Sequence, residues 1–341
     1  MRRVFGTWII ILSVFCLACN QQREQPAPKN AADSAKRYLE TLNAGIAKDA
    51  TNPGLYLARA RFFLTDRQFD NALKDINHAI SLDPKKPEYY TTLSDIYLLS
   101  GQTQNSTDAL TRAITLNPSD KEALLKMARL CLIIKDYPGT FEYVKRNLAI
   151  DDFNPPAYFI RGIALLEKGD TNRAVTDFIK AVDQDQGYYE ATIQLAELFA
   201  LKKDPMTADY LKNALTIRPN DREALYMLGM FYQETGQYVK AIEVYKRLQK
   251  ADTAFRNSSF NIGYIYLVYL KDFPQAIAFF SNAIKRDPVY YEAYFNRGYA
   301  EELTGAYKKA YADYQQALKI NVNYPNAVDG LNRLDRIKIT K

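Results

Sequence analysis

The hydrophobic pattern of the chain repeats with a period close to 34 residues. Small residues recur at intervals of 34, 34, 34, 34, 33, 34 and 35 residues, at Ala60, Ser94, Ala128, Gly162, Ala196, Gly229, Gly263 and Gly298. A second series follows each of them after 12 or 13 residues, at Ala72, Ser106, Thr140, Ala174, Ala208, Ala241, Ala276 and Ala310. Two antiparallel helices cross closely only where small side chains meet, and each pair must bury its apolar face on the next. The pattern therefore predicts eight stacked pairs of helices.

Further positions identify the type of repeat. Prolines close several repeats, at Pro84, Pro118, Pro219 and Pro288, and tyrosines recur in one slot, at Tyr56, Tyr90, Tyr158 and Tyr294. Over residues 53–324 the chain resembles the tetratricopeptide repeat, in which that slot usually holds tryptophan. The resemblance implies an all-α fold, a right-handed superhelical solenoid of antiparallel helix pairs. The amphipathic stretches 31–50 and 325–341 are expected to form the N-terminal and C-terminal capping helices.

Charged residues at one pair of slots vary together. Three repeats carry an arginine just before the small residue of helix one and an aspartate sixteen residues later: Arg59 with Asp75, Arg161 with Asp177, and Arg297 with Asp313. The other five repeats have apolar residues in the arginine slot. Because an unpaired charge in a half-buried seam is costly, we predict that each arginine pairs with its aspartate and serves the scaffold.

The resemblance also implies a binding surface, because helix one of each repeat lines the concave face in this family. In the last three repeats the slots concerned hold aromatic, methionine and amide residues: Tyr226, Met230, Phe260, Asn261, Tyr264, Phe295, Asn296 and Tyr299. Such a surface suits a peptide or a helical segment, so we expect a partner-binding groove here. Alanine at Phe260 and Phe295 is then expected to change stability little, whereas Tyr294 is expected to be buried. The alternative, that these residues only pack against adjoining helices, stays open.

The family's clamp for a terminal carboxylate is not expected here. Its asparagine slots are present at Asn261 and Asn296, but its lysine slots hold Tyr226 or Phe260 and Glu292. The expected segment is instead held mainly by the aromatic residues and oriented by the two amides.

The start of the chain has the pattern of an export signal. Residues 1–18 combine two arginines with an apolar run shorter than the roughly 20 residues of a membrane-spanning helix. Leu17-Ala18-Cys19 resembles the end of a bacterial lipoprotein signal, which implies cleavage before Cys19 and its lipidation. Residues 19–30 are then a flexible tether. Asn20, in place of the aspartate that retains some lipoproteins at the inner membrane, favours the outer membrane, facing the periplasm. A plain secretory signal and an uncleaved anchor remain alternatives.

Composition narrows the function further. The hydrophobic content of 48% and charged content of 25% are typical of a folded chain. Without the two arginines of the predicted signal, 43 basic residues stand against 39 acidic ones. A net charge of +4 so evenly mixed argues against nucleic-acid binding. The single histidine, His78, and the lack of paired cysteines or phosphate-binding loops argue against metals, cofactors and catalysis.

The sequence therefore predicts a noncatalytic protein–protein interaction scaffold or adaptor in the bacterial cell envelope. Its expected partners are other envelope proteins, bound through peptide or helical segments in the groove, and the membrane, bound through the lipid on Cys19. The alternative is a structural subunit of an envelope secretion, pilus, motility or outer-membrane assembly machine.

Overall fold

The computed structural model describes residues 29–253 and 255–337. Every regular element in this part of the chain is helical. The described helices form two compact units, which divide the chain after Gln184. None of the described helices is long and apolar enough to cross a membrane. The predicted signal peptide, Cys19 and most of the predicted tether lie outside the described residues.

The first unit consists of one long helix followed by four helix pairs. The long helix is α1 (Lys29–Lys48), which starts two residues before the expected cap and packs on the next helix. The pairs are α2 (Pro53–Thr65) with α3 (Phe69–Leu82), α4 (Pro87–Leu99) with α5 (Thr103–Leu116), α6 (Lys121–Ile133) with α7 (Tyr137–Ile150), and α8 (Pro155–Glu167) with α9 (Thr171–Gln184).

The second unit consists of four further pairs and a last single helix. The pairs are α10 (Tyr189–Ala200) with α11 (Met206–Ile217), α12 (Arg222–Glu234) with α13 (Tyr238–Ala251), α14 (Arg256–Tyr264) with α15 (Phe273–Arg286), and α16 (Tyr291–Leu303) with α17 (Tyr307–Ile320). The last helix is α18 (Pro325–Arg336), which packs on α17 and α16. Each helix packs most extensively on the other member of its pair, as an antiparallel solenoid requires.

Glycine and an aromatic ring meet where the two helices of a pair cross. A Cβ atom added to Gly229 would lie 2.5 Å from the ring of Tyr245, closer than atoms of two side chains can approach. The same arrangement recurs in three further pairs, with Gly162 against Phe178, Gly263 against Phe280 and Gly298 against Tyr314. All four rings are fully buried. The absent side chain of each glycine is therefore what admits the ring into the core.

In the other four pairs, the two helices divide the volume at their crossing differently. Their first helix carries alanine or serine, and a buried aliphatic residue stands fifteen or sixteen residues later: Ala60 and Ile76, Ser94 and Leu110, Ala128 and Val144, Ala196 and Leu211. A larger residue on the first helix thus goes with a smaller one on the second. This exchange keeps the crossing close-packed, because protein interiors tolerate neither voids nor excess volume.

The turn inside each of the eight pairs contains a residue in the left-handed conformation, with φ between 55° and 81°. Four of these residues are glycine, which adopts that conformation freely: Gly101, Gly169, Gly236 and Gly305. The other four are basic: Arg67, Lys135, Lys203 and Lys271. A residue with a Cβ atom costs roughly 1 kcal/mol there. The turn geometry is therefore constant even where the glycine signal is missing from the sequence.

The seventh pair accommodates one additional residue in its first helix. Gly263 and Ala276 are 13 residues apart, whereas the corresponding residues of the other pairs are 12 apart. The extra residue is absorbed where α14 continues into a π-helical turn, Ile265–Leu270. Such a turn inserts one residue without ending the helix.

Polar residues replace the usual small ones in the third pair, and the buried amide of Asn147 is fully hydrogen-bonded. Asn147 is fully buried, and its amide nitrogen donates to the carbonyl oxygen of Lys121 at 2.7 Å. Its amide oxygen accepts from the side chain of Asn154 at 2.7 Å. Because the buried amide of Asn147 finds partners for both its nitrogen and its oxygen, this degenerate repeat accommodates the residue within the same helical architecture.

The three predicted arginine–aspartate pairs are confirmed. In the fourth pair, Nε and an Nη atom of Arg161 donate to the two carboxylate oxygens of Asp177 at 2.7 and 2.8 Å. The same two-point contact joins Arg59 to Asp75 and Arg297 to Asp313. Each aspartate is buried, whereas each arginine keeps part of its guanidinium exposed. These arginines therefore serve the scaffold and do not point into open space.

Removing one member of such a pair should cost more than removing both. We expect Arg161→Met to destabilise the chain by about 3 kcal/mol or more, because it leaves the Asp177 carboxylate buried and unpaired. Asp177→Leu should cost less, since Arg161 can still reach water, and the double variant should recover much of the loss. Urea titrations of the four forms measure this.

The exposed pair Arg173–Asp170 provides the control. Its arginine side chain is 72% exposed, so its removal should cost under about 1 kcal/mol. Equal losses for Arg161→Met and the double variant would contradict the prediction.

Candidate partner-binding face

The eight residues of the predicted groove lie on the first helices of the last three pairs. Tyr226 and Met230 are on α12, and the others are on α14 and α16: Phe260, Asn261, Tyr264, Phe295, Asn296 and Tyr299. All eight side chains are half-buried, neither enclosed in the core nor fully in solvent. We call this set the aromatic face.

A sulfur atom on α12, from Met230, contacts an amide on α14, from Asn261. The side-chain nitrogen of Asn261 lies 3.6 Å from Sδ of Met230, a distance suited to a weak hydrogen bond to sulfur. Tyr226 packs edge-on against Phe255, with ring centroids 5.3 Å apart. The two helices therefore present neighbouring residues of the aromatic face in a fixed register.

Phe260 is at the centre of a stack of rings. Its centroid lies 5.0 Å from that of Tyr290 and 6.4 Å from that of Tyr264, and both rings are stacked on it. A third neighbour is the fully buried Phe280, at 5.5 Å. Tyr299, on α16, packs against the same cluster. Phe260 and Tyr264 on α14 therefore rest on the same buried cluster as Tyr299 on α16.

On α16 the rings of Phe295 and Tyr299 are parallel, with centroids 6.3 Å apart. Phe295 also contacts the fully buried Tyr314 at 5.7 Å. The amide nitrogen of Asn296 donates to the backbone oxygen of Glu292 within its own helix, at 2.7 Å. That bond holds the amide in place, while its oxygen has no partner among the described residues and can accept from a bound segment.

Two expectations from the sequence need correction. Tyr294, expected to be buried between helices, is half-buried like the residues of the aromatic face. Phe260 and Phe295, expected to contribute little to the fold, both contact fully buried rings. Truncating either one would remove packing from the core, so a nearly unchanged thermal transition is no longer expected. These rings have one side on the core and the other side on the surface.

The first unit presents charges at the corresponding places. Arg61 lies 2.9 Å from Glu88 on the next first helix, and its Nε donates to Thr92 at 3.4 Å. Further along, Lys126 contacts two acidic side chains, Asp95 and Glu122. In the first unit, the corresponding surface of the first helices is therefore occupied by ion pairs between its own side chains.

Among the described residues, neither Cys131 nor His78 is placed to act in catalysis. Cys131 is buried, and burial, helped by the charge of Asp136, raises the pKa of its thiol to about 11. A thiol with that pKa is not a nucleophile at neutral pH. His78 is exposed and its ring packs edge-on against Tyr56. No group of three or more His, Cys, Asp and Glu side chains within the described ranges could hold a metal ion.

The role of one carboxyl group, which lies near α12 of the aromatic face, was not predicted from the sequence. Glu197 on α10 is half-buried and accepts a hydrogen bond from the buried Gln194 at 3.0 Å. Burial raises the pKa of Glu197 to about 7, and the negative charge of Glu223 on α12 adds to the effect. The signal available in the sequence was its slot, directly after the small residue Ala196, which Met230, Tyr264 and Tyr299 occupy in later repeats.

This raised pKa predicts a pH-dependent stability. The folded chain binds the proton of Glu197 more tightly than the unfolded chain, so its contribution to stability is lost as pH rises from about 4.5 to about 7. Glu197→Gln removes the charge and keeps an acceptor for Gln194. Between pH 5 and pH 8 the stability of this variant relative to wild type should increase by roughly 1 to 3 kcal/mol.

Urea titrations at the two pH values measure the difference. The exposed Glu243 on α13 provides the control, since Glu243→Gln should show almost no such change. A Glu197→Gln variant with the same relative stability at both pH values would refute the prediction.

Known proteins resemble this chain in sequence and in fold. The "DnaJ homolog subfamily C member 7 homolog" of Dictyostelium discoideum is 22% identical over 195 residues, which are 57% of this chain and 33% of that protein. The chain thus spans about a third of that relative's length.

Two solved structures are similar to this chain, and the first of them shows the same type of fold. The C-terminal part of a TPR repeat-containing protein from Cytophaga hutchinsonii is 17% identical, with a TM-score of 0.51 over 81% of this chain and 99% of that one. YrrB, described as "a TPR protein with an unusual peptide-binding site", is 19% identical, with a TM-score of 0.41 over 55% of this chain and 97% of that one.

Models of the tetratricopeptide repeat match five stretches of the chain, residues 53–86, 87–120, 155–188, 207–256 and 265–327. Together these stretches cover more than half of its length. The helix pairs, the small residues at their crossings and these matches together show that the chain belongs to the tetratricopeptide repeat family.

Proposed function

We propose that this protein is a noncatalytic adaptor of a bacterial cell envelope that holds an extended or helical segment of a partner protein on the aromatic face. Tetratricopeptide repeat proteins are protein–protein interaction scaffolds, and stacked helix pairs create extended binding surfaces. The family thus supports a scaffold that binds other proteins, and the half-buried aromatic residues support the proposed place of binding.

The observation that carries the proposal is the partial burial of the whole aromatic face. One side of Phe260, for example, rests on buried rings while the residue as a whole stays accessible. A continuous apolar patch on three adjacent helices leaves a favourable contact unmade until a partner covers it. Rings already fixed by the core lose little conformational entropy on binding, which is why aromatic residues dominate protein interfaces.

The envelope context rests on the start of the chain. Residues 1–18 have the pattern of a signal peptide, and Cys19 has the position of a lipidated cysteine. We place the mature chain at the outer membrane, facing the periplasm, with the membrane bound through the lipid and other envelope proteins bound on the aromatic face. Residues 19–28 then connect the lipid to α1.

Site-specific photocrosslinking in cells tests the binding face. We expect a photoreactive phenylalanine at Tyr264 or Tyr299 to crosslink a discrete partner through one short segment, identified by mass spectrometry. The control position is Val239 on α13, which is 66% exposed and lies on a second helix. This position should give no such product.

The outcomes separate the two candidate functions. Crosslinks to the same partner from Val239, with none from Tyr264 and Tyr299, would reject the aromatic face. Equally strong crosslinks from all three positions to one abundant protein would favour a structural subunit enclosed in a larger machine.

Cell fractionation tests the anchor. Wild-type protein should be found in the outer-membrane fraction, and Cys19→Ala should release it or leave it unprocessed. The physical reason is that each buried CH₂ group of an acyl chain contributes about 0.8 kcal/mol, so several chains hold the protein permanently. Wild-type protein in the soluble fraction would contradict lipidation. Membrane retention of a Cys19→Ala protein with its leader uncut would favour the uncleaved anchor.

A further inference from the structure

The first unit shows how a pair of acidic residues on neighbouring first helices is neutralised. Asp95 directly follows the small residue Ser94, and Glu122 stands six residues before the next small residue, Ala128. The ammonium group of Lys126 lies 2.6 Å from the Asp95 carboxylate and 2.8 Å from the Glu122 carboxylate. Two neighbouring carboxylates repel each other, and a cation between them removes that cost.

The second unit has acidic residues in the same two slots and lacks a lysine in the third. Glu197 directly follows the small residue Ala196, and Glu223 stands six residues before the next small residue, Gly229. The slot of Lys126, two residues before the small one, is occupied by Met227. Methionine offers no positive charge, so the second unit repeats the two acidic slots and lacks the lysine between them.

No other residue of the described chain takes over that role. No lysine or arginine nitrogen of the described residues lies within 4.0 Å of the Glu197 or Glu223 carboxylates. The charge of Arg222 partly offsets the burial that raises the pKa of Glu223, but its guanidinium pairs with Asp252, 3.5 Å away, and does not bridge Glu223 to Glu197. The charge that acts on Glu197 is the negative charge of Glu223, and its hydrogen-bond donor is the neutral Gln194. A half-buried carboxylate in this situation gains most from an added cation.

Glu223 also stands in line with the aromatic face. Tyr226 and Met230 follow it by three and seven residues on α12, which places the three side chains along one stripe of the helix. A segment that covers Tyr226 with an apolar residue therefore passes beside Glu223 and Glu197.

We propose that the segment captured on the aromatic face carries a lysine or arginine, whose charged group binds between Glu197 and Glu223 where Lys126 binds in the first unit. This inference rests on the proposed function and adds the chemical identity of the ligand. The recognised segment is thus apolar and aromatic along most of its length, with a basic residue at the end that lies over α10 and α12.

A peptide-selection experiment with the full-length chain in detergent tests the proposal. The probe is a library of acetylated, amidated twelve-residue peptides made from Leu, Phe, Ser, Gln, Lys and Glu. Wild type should prefer lysine to glutamine at one position by about tenfold, because hydrogen bonds to charged groups are strong. Met227→Lys supplies the missing cation from within and should reduce that preference to under about twofold. Glu197→Gln should reduce it as well.

Matched variants separate the site from net charge and from shape. Met227→Leu keeps an apolar residue in the slot, and Glu243→Gln removes one negative charge from a second helix, so both should keep the lysine preference. Lys126→Met leaves the Asp95 and Glu122 carboxylates without their cation and tests the first unit in the same way. We expect this variant to acquire a lysine preference that wild type lacks there.

The possible failures are distinguishable. Selection of apolar peptides without a basic preference, or a preference unchanged in Met227→Lys and Glu197→Gln, would overturn this inference and leave the proposed function standing. No selection at all, or apolar selection unaffected by Tyr264→Ala, would overturn both.

Discussion

The structure depends on a constant volume at the crossing of each helix pair. Where the first helix carries glycine, as at Gly229, the second fills the space with a ring such as Tyr245. Where the first helix carries alanine, as at Ala60, an aliphatic residue such as Ile76 is enough. Close packing of two helices leaves no third solution, because a ring against alanine overlaps and an aliphatic residue against glycine leaves a cavity. Stacking of successive pairs follows from this fixed spacing.

Because the packed volume at each helix crossing is constant, the residues on the exposed side of each first helix can vary. In the first unit that side carries ion pairs such as Arg61 with Glu88, in which the chain satisfies its own charges. In the second unit it carries rings that rest on the core, together with Glu197 and Glu223, whose carboxylates form no ion pair with a lysine or arginine of the described residues. The first surface satisfies its own charges, whereas the second is the one on which we propose that a partner supplies apolar area and positive charge.

The sequence predicted those features that repeat. The period, the small residues at the crossings and the Arg161–Asp177 pair follow from comparing one repeat with the next, because charge in one slot went with charge in the other. The sequence could not show how a ring such as Phe260 is shared between core and surface, since this depends on rings from other helices. The π-helical turn Ile265–Leu270 was also beyond it, because a spacing of 13 shows that a residue is inserted and not where.

The Glu197 carboxyl shows a different limit. Its slot was visible in the sequence, yet an acidic residue on a helix is usually solvated, and only the structure shows its burial and the neighbouring charge. The difference between Met227 and Lys126 could be interpreted only after the structure showed Lys126 between two carboxylates.

A crystal structure of the full-length chain with a library-selected peptide tests the central claim most directly. The account predicts a segment along α12, α14 and α16, with its basic group between Glu197 and Glu223. A peptide bound along α13, α15 and α17 would contradict the account.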